Sequence, residues 1–192
     1  MQLMPKIAEI DRTPNPNAMK FILKEPLTWG VSQSYASAED ARQDPLAAAL
    51  FAIPHVTNVF YVDHWITVTQ DGQAEWGDLM KKLAVPIREA AAAQARSEAF
   101  AAASEWEGLD DERLTDEERA KLAMITDLLD EQVRPYLQSD GGDLIVVGLE
   151  GKQLKVHYQG ACGGCPSSLS ATLAGIEGLA RTVDPEIEIV PV

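Results

Sequence analysis

The chain reads as an α+β protein of two small domains, the second a three-stranded sheet with two helices in the order helix-strand-strand-helix-strand. Three observations point there. Apolar residues recur at helical spacing in some stretches and alternate as in strands in others. A length of 192 residues suits two small domains slightly better than one. Between the halves, large aliphatic side chains nearly vanish, and alanine followed by acid takes their place. The expected domains are therefore 1–90 and 115–192, joined by an alanine-rich, acidic linker over 91–114.

The first half opens with an alternating run around Lys6–Ile10, and Met19–Leu23 is a second strand-like run. Between them, Thr13-Pro14-Asn15-Pro16-Asn17 sets two prolines around an asparagine, which predicts a rigid corner with a structural task. Ala38–Phe51 reads as a helix interrupted early by Pro45. Thr57–Asp63 and Trp65–Thr69 are β-rich and nearly contiguous, as in a hairpin. Trp76–Val85 has helical period, with Trp76, Leu79, Met80 and Leu83 on one face. The alanine stretch of the linker has high helix propensity and predicts a helical extension ending near Gly108.

The second half begins with a capping box, Thr115 followed three residues on by Glu118. The helix it opens carries Leu122, Ile125, Leu128, Leu129, Val133 and Leu137, and Asp140-Gly141-Gly142-Asp143 ends it. Leu144–Leu149 and Gln153–Tyr158 are strands joined by the Glu150-Gly151-Lys152 turn. Leu169, Leu173, Ile176 and Leu179 mark the second amphipathic helix. Pro185 leads into a last strand, Glu186–Val190.

Composition narrows the function. Thirty acids against sixteen bases give a formal net charge of −14, which argues against binding nucleic acid or anionic lipid. No run is long enough to span a membrane, and Met1–Lys6 lacks a secretory pattern, so no membrane partner and a cytoplasmic location are expected. No Ser/His/Asp set or phosphate-binding glycine loop is present, and the chain is read as a non-enzyme. Asp140 and Asp143 lack partners for acid–base work and are assigned to a turn. Trp29, Trp65 and Trp76 are placed in or beside the N-terminal core, and Trp106 in the linker.

The two cysteines of the chain are Cys162 and Cys165, in Cys162-Gly163-Gly164-Cys165. Two thiols cannot complete a four-thiolate site alone. Three chemistries compete for them. Thiol–disulfide exchange fits a CxxC between strand and helix, but only 27 residues follow Cys165, too few for a thioredoxin-type remainder. Structural zinc needs further ligands, and His55, His64 and His157 are scattered; His157 reads as an ordinary strand-face histidine. An iron–sulfur cluster shared by two chains supplies four thiolates. Gly163 and Gly164 would let amides turn toward sulfur, Pro166 suits a first helical turn, and Ser167 or Ser168 would cap it.

Gly160-Ala161-Cys162-Gly163-Gly164-Cys165-Pro166-Ser167-Ser168, with Val133-Arg134-Pro135-Tyr136 and Asp140-Gly141-Gly142-Asp143 upstream, resembles the C-terminal domain of NifU, shared with Nfu-type iron–sulfur carriers. Thr13-Pro14-Asn15-Pro16-Asn17-Ala18-Met19-Lys20-Phe21 is similar to the N-terminal domain that accompanies it in Nfu proteins. The resemblance implies a carrier that receives a [4Fe–4S] cluster, with [2Fe–2S] as the second cluster type, from an upstream iron–sulfur scaffold protein. It passes the cluster to apo iron–sulfur client proteins. The implied ligands are Cys162 and Cys165, in a homodimer bridged by the cluster. NifU's desulfurase-fed scaffold domain and its ferredoxin-like domain have no counterpart here, so a downstream carrier is expected rather than a primary scaffold. The alternative is a thiol–disulfide oxidoreductase using the same CxxC.

Overall fold

The computed structural model describes residues 4–92, 114–161 and 166–192, with side chains of the last segment described from 172 onward. By contacts the chain divides into two compact units, Met1–Ser104 and Glu105–Val192. Among the described residues it contains five α-helices and two sheets, an α+β architecture.

The N-terminal unit is one antiparallel sheet of five strands, β1 (Ile7–Arg12), β2 (Ala18–Leu23), β3 (Gln33–Tyr35), β4 (Val56–Val62) and β5 (Trp65–Gln70), in the order β1-β2-β5-β4-β3. Alternation assigns its faces. Met19, Phe21, Leu23, Val59, Tyr61, Ile66 and Val68 join one buried cluster, with Leu79, Leu83 and Ile87 of a helix packed over them. On other positions Phe60 lies 5.2 Å from Trp65, and the Lys20 ammonium sits 4.7 Å from the Trp65 ring. The short strand β3 was not foreseen: Gln33-Ser34-Tyr35 has no alternation to read, and only its pairing with Val59–Tyr61 makes it a strand.

The expected helix over 38–51 is instead a 3-10 turn, Asp40–Gln43, followed by α1 (Pro45–Phe51). Pro45 does not interrupt a helix; it starts one. The residue before a proline is pushed out of the helical region, and Asp44 is extended there. Its carboxylate caps α1, accepting from the Ala47 N–H at 2.7 Å. Helix α2 (Trp76–Glu89) runs past the expected end at Val85, carrying Pro86 inside it. Leu79, Leu83 and Ile87 recur every four residues, so the buried stripe continues through the proline.

The proline corner is closed by its own groups. Thr13 Oγ1 donates to the Asn15 carbonyl at 2.9 Å, the Asn15 side chain accepts from the Asn17 N–H at 3.0 Å, and Trp76 Nε1 donates to the Pro16 carbonyl at 3.0 Å. Trp29, Trp65 and Trp76 are all partly buried in this unit.

The C-terminal unit opens with α3 (Asp116–Gln132), and its capping box is formed: Thr115 Oγ1 accepts from the Glu118 N–H at 3.2 Å while Glu118 accepts from the Thr115 N–H at 2.9 Å. The first helix expected in this half is divided. α3 ends at Gln132 with Val133 as its cap, and a short α4 (Arg134–Ser139) follows, because Pro135 has no N–H for the carbonyl of the preceding turn. Strands β6 (Gly142–Glu150) and β7 (Gln153–Gly160) pair antiparallel. A register shift between Val146 and Gly148 resets the alternation, so Leu144, Val146 and Leu149 all face inward. α5 (Pro166–Val183) then returns the chain to β8 (Glu188–Pro191), which lies parallel to β7. Leu173, Ile176, Ala180 and Val183 of α5 pack with Leu122, Ile125 and Leu129 of α3 over this sheet.

Candidate functional site

Cys162, Gly163, Gly164 and Cys165 lie outside the described residues, as do the expected helical linker and Trp106; the Ser167 and Ser168 side chains are likewise undescribed. What the structure describes is the frame on either side of the four-residue loop. The chain enters it from β7 and Ala161 and leaves it at Pro166, where α5 begins.

The entry is held from across the sheet. Gly142 pairs with Gly160 and Asp143 with Gln159, and the Ala161 N–H donates to the Gly141 carbonyl at 3.1 Å. The Asp-Gly-Gly-Asp segment therefore sits against the residues that run directly into Cys162. Gly141 has φ +81°, the left-handed stop that follows the α4 cap at Asp140. Gly160 has φ +66°, where the strand turns out of the sheet; both conformations disfavour a side chain. Gln159, Gly160 and Ala161 are buried in succession, so this strand end is covered on both faces.

Asp143 is not a turn residue. It lies in β6 with its side chain 5% exposed, and its carboxylate accepts from Arg134 Nη1 at 2.5 Å and from the Leu144 N–H at 2.7 Å. Arg134 also bonds Asp130 of α3 through Nε at 2.9 Å and Nη2 at 2.8 Å. One guanidinium thus links α3, α4 and the first residues of β6. Burial pushes the Asp143 carboxyl above its ordinary value, and the Arg134 charge and the Leu144 N–H oppose that shift. Arg134 has no role in the residue-by-residue sequence reading. The available signal is its place four residues after Asp130 and nine before Asp143, which becomes a contact only when α4 turns sharply into β6.

The histidines are engaged separately. His55 Nδ1 lies 3.1 Å from Asp71, the His64 ring meets Trp29 edge-on at 6.3 Å, and His157 on β7 lies 2.7 Å from the Val192 carbonyl. Among the described residues no group of three or more His, Cys, Asp or Glu is arranged to hold a metal ion. No helix among them is long and apolar enough to cross a membrane.

Comparison with known proteins matches both units. A family model described as "Scaffold protein Nfu/NifU N terminal" matches residues 7–94, and one described as "NifU-like domain" matches residues 125–191. A Drosophila persimilis protein named "NFU1 iron-sulfur cluster scaffold homolog, mitochondrial" is 31% identical over 185 residues, covering 93% of this chain and 62% of that protein. The Homo sapiens protein of the same name is 33% identical over 177 residues, covering 92% of this chain and 67% of that one. The chain thus spans about three fifths of the length of the Drosophila relatives it matches. Among solved structures, a NifU-like protein from Saccharomyces cerevisiae matches at 25% identity and TM-score 0.41, over 46% of this chain and 79% of that one. Protein SAV1430 from Staphylococcus aureus matches at 27% identity and TM-score 0.37, over 42% of this chain and 96% of that one. With one family model on each unit and a human relative at 33% identity over most of the chain, the protein belongs to the Nfu family.

Proposed function

We propose that the chain is an iron–sulfur cluster carrier rather than an enzyme, holding its cargo at Cys162 and Cys165 and handing it to apo-proteins. The observation that carries the reading is the braced entry to the loop: Gly141 and the first residues of β6, Gly142 and Asp143, hold Gln159–Ala161 up to the residue before Cys162. Family membership and the printed names of the relatives, iron–sulfur cluster scaffold homologues, support the same cargo. Two thiols per chain are half the usual ligand set, so the cluster is shared by a homodimer. A [4Fe–4S] cluster is the proposed form. The helix that starts at Pro166 supplies a positive dipole end beside Cys165 in the chain, which favours thiolate over thiol. Residues 115–192 carry this site, 1–90 select or hold partners, and 91–114 link them. The upstream donor is an iron–sulfur scaffold protein, and the compartment is the cytoplasm.

The test is anaerobic transfer. Reconstituted wild type should activate an apo [4Fe–4S] enzyme, and the Cys162→Ser/Cys165→Ser variant should hold no cluster and activate nothing. Full activation by the double variant sinks the ligand assignment. Acceleration of insulin reduction by apo-protein, together with a reversible Cys162–Cys165 disulfide, would favour the oxidoreductase instead.

A further inference from the structure

A groove of about 610 Å3 lies in the C-terminal unit, between α4 with the end of α3 on one side and α5 on the other. Val133 and Leu179, both half-buried, contribute apolar surface to it, and the buried Leu137 and Ile176 lie beneath. Tyr136, on its rim, is 74% exposed, an unusual position for an aromatic ring with no covering element. Among the described residues that line the groove, the charged ones are Glu131 and Asp140.

The groove also has a definite place relative to the residues that flank the loop. Asp140 precedes Gly141, whose carbonyl receives the Ala161 N–H directly before Cys162. Its other wall is the helix that leaves the loop at Pro166. A polypeptide seated there would be anchored on both segments that frame the cysteines.

Charge selects the occupant. A segment with lysine or arginine beside leucine-like side chains meets both the acids and the apolar floor, and its cations can stack on Tyr136. We propose that this groove docks a basic, amphipathic segment of a protein partner next to the cysteine loop. The proposal rests on reading the chain as a cluster donor, for which it supplies the client-facing surface.

The test uses full-length 15N-labelled apo-protein and two synthetic amphipathic peptides, one of leucine and lysine and one of leucine and glutamate. The lysine peptide should shift amides of residues 131–140 and 172–179, and binding should weaken as salt rises. Tyr136→Ala should weaken it about tenfold, and Glu131→Lys about threefold. Both side chains are exposed, so folding is retained, and both variants should bind wild-type amounts of iron and sulfide on reconstitution. Shifts scattered over both units, equal binding of the glutamate peptide, or unchanged affinity in Tyr136→Ala would overturn the proposal. So would a dimer that Tyr136→Ala converts to monomer, which would assign the groove to a second copy. Failure of wild type to hold any cluster would count against the carrier reading, and the peptide result is read independently of it.

Discussion

The two units solve sheet construction differently, and the difference sets the cysteine loop in a crossover rather than a hairpin. Every pairing in the N-terminal sheet is antiparallel. Its polar corners are closed by local bonds, as in the Thr13–Asn17 turn and at Asp44, which caps α1 and accepts from the Tyr35 hydroxyl at 3.1 Å and from the Tyr61 hydroxyl. In the C-terminal unit β8 runs parallel to β7, and a parallel neighbour demands a crossover helix. That crossover opens a loop between a strand's carboxyl end and a helix start, and both cysteines stand in it. The lesson is topological: the unit with the parallel pair has a connection between strand end and helix start, and the hairpin unit closes its turns on themselves.

The comparison is broken most severely at Arg134. Arg134→Gln leaves the Asp143 carboxylate buried without its cation, an expected loss of about 3–5 kcal/mol. Hydrogen exchange should show protection falling through β6, β7 and α5 and holding in the five-stranded sheet. Equal loss in both units would deny that the clamp is local.

The matching change in the other unit is Asp44→Ala, which removes the α1 cap and the acceptor shared by Tyr35 and Tyr61. About 2–3 kcal/mol should be lost from the N-terminal unit by hydrogen exchange. Iron and sulfide content after reconstitution should stay at the wild-type level; a fall would tie the N-terminal unit to the cluster site.

The smallest effect is at the start of α3. Thr115→Ala should cost about 1 kcal/mol in chemical denaturation at neutral pH. The Thr115 N–H, chiefly, holds the Glu118 carboxyl below its ordinary value of 4.5. A depressed carboxyl stabilises the fold above that value and loses its contribution as pH falls through the lowered one. Thr115→Ala keeps that N–H and removes the hydroxyl that also donates to Glu118 at 2.7 Å, so the gap between wild-type and variant melting temperatures should narrow below about pH 4.5 by the hydroxyl's share, and a constant gap would contradict the hydroxyl's part in holding Glu118.

Much of this was legible in the residues. Thr115 and Glu118 announce their box, and the β4–β5 and β6–β7 hairpins follow from alternation and turn chemistry. Prolines were harder to read. Pro45 and Pro135 each mark a helix start, which the residues alone do not separate from a break: Asp44 leaves the helical region before Pro45, whereas Val133 keeps helical angles and still divides α3 from α4. Arg134 and Asp143 were invisible as a pair: nine residues apart, they meet only through the turn at Gly141. β3 is a strand only because β4 is beside it.

The central claim is that one cluster is shared by two copies through Cys162 and Cys165. Native mass measurement under anaerobic conditions, with Mössbauer spectroscopy on the same sample, tests it most directly. The account predicts a dimer carrying about four iron and four sulfide in one [4Fe–4S] cluster, lost in the Cys162→Ser/Cys165→Ser variant. A monomer holding a complete cluster, or a double variant that retains it, would contradict it.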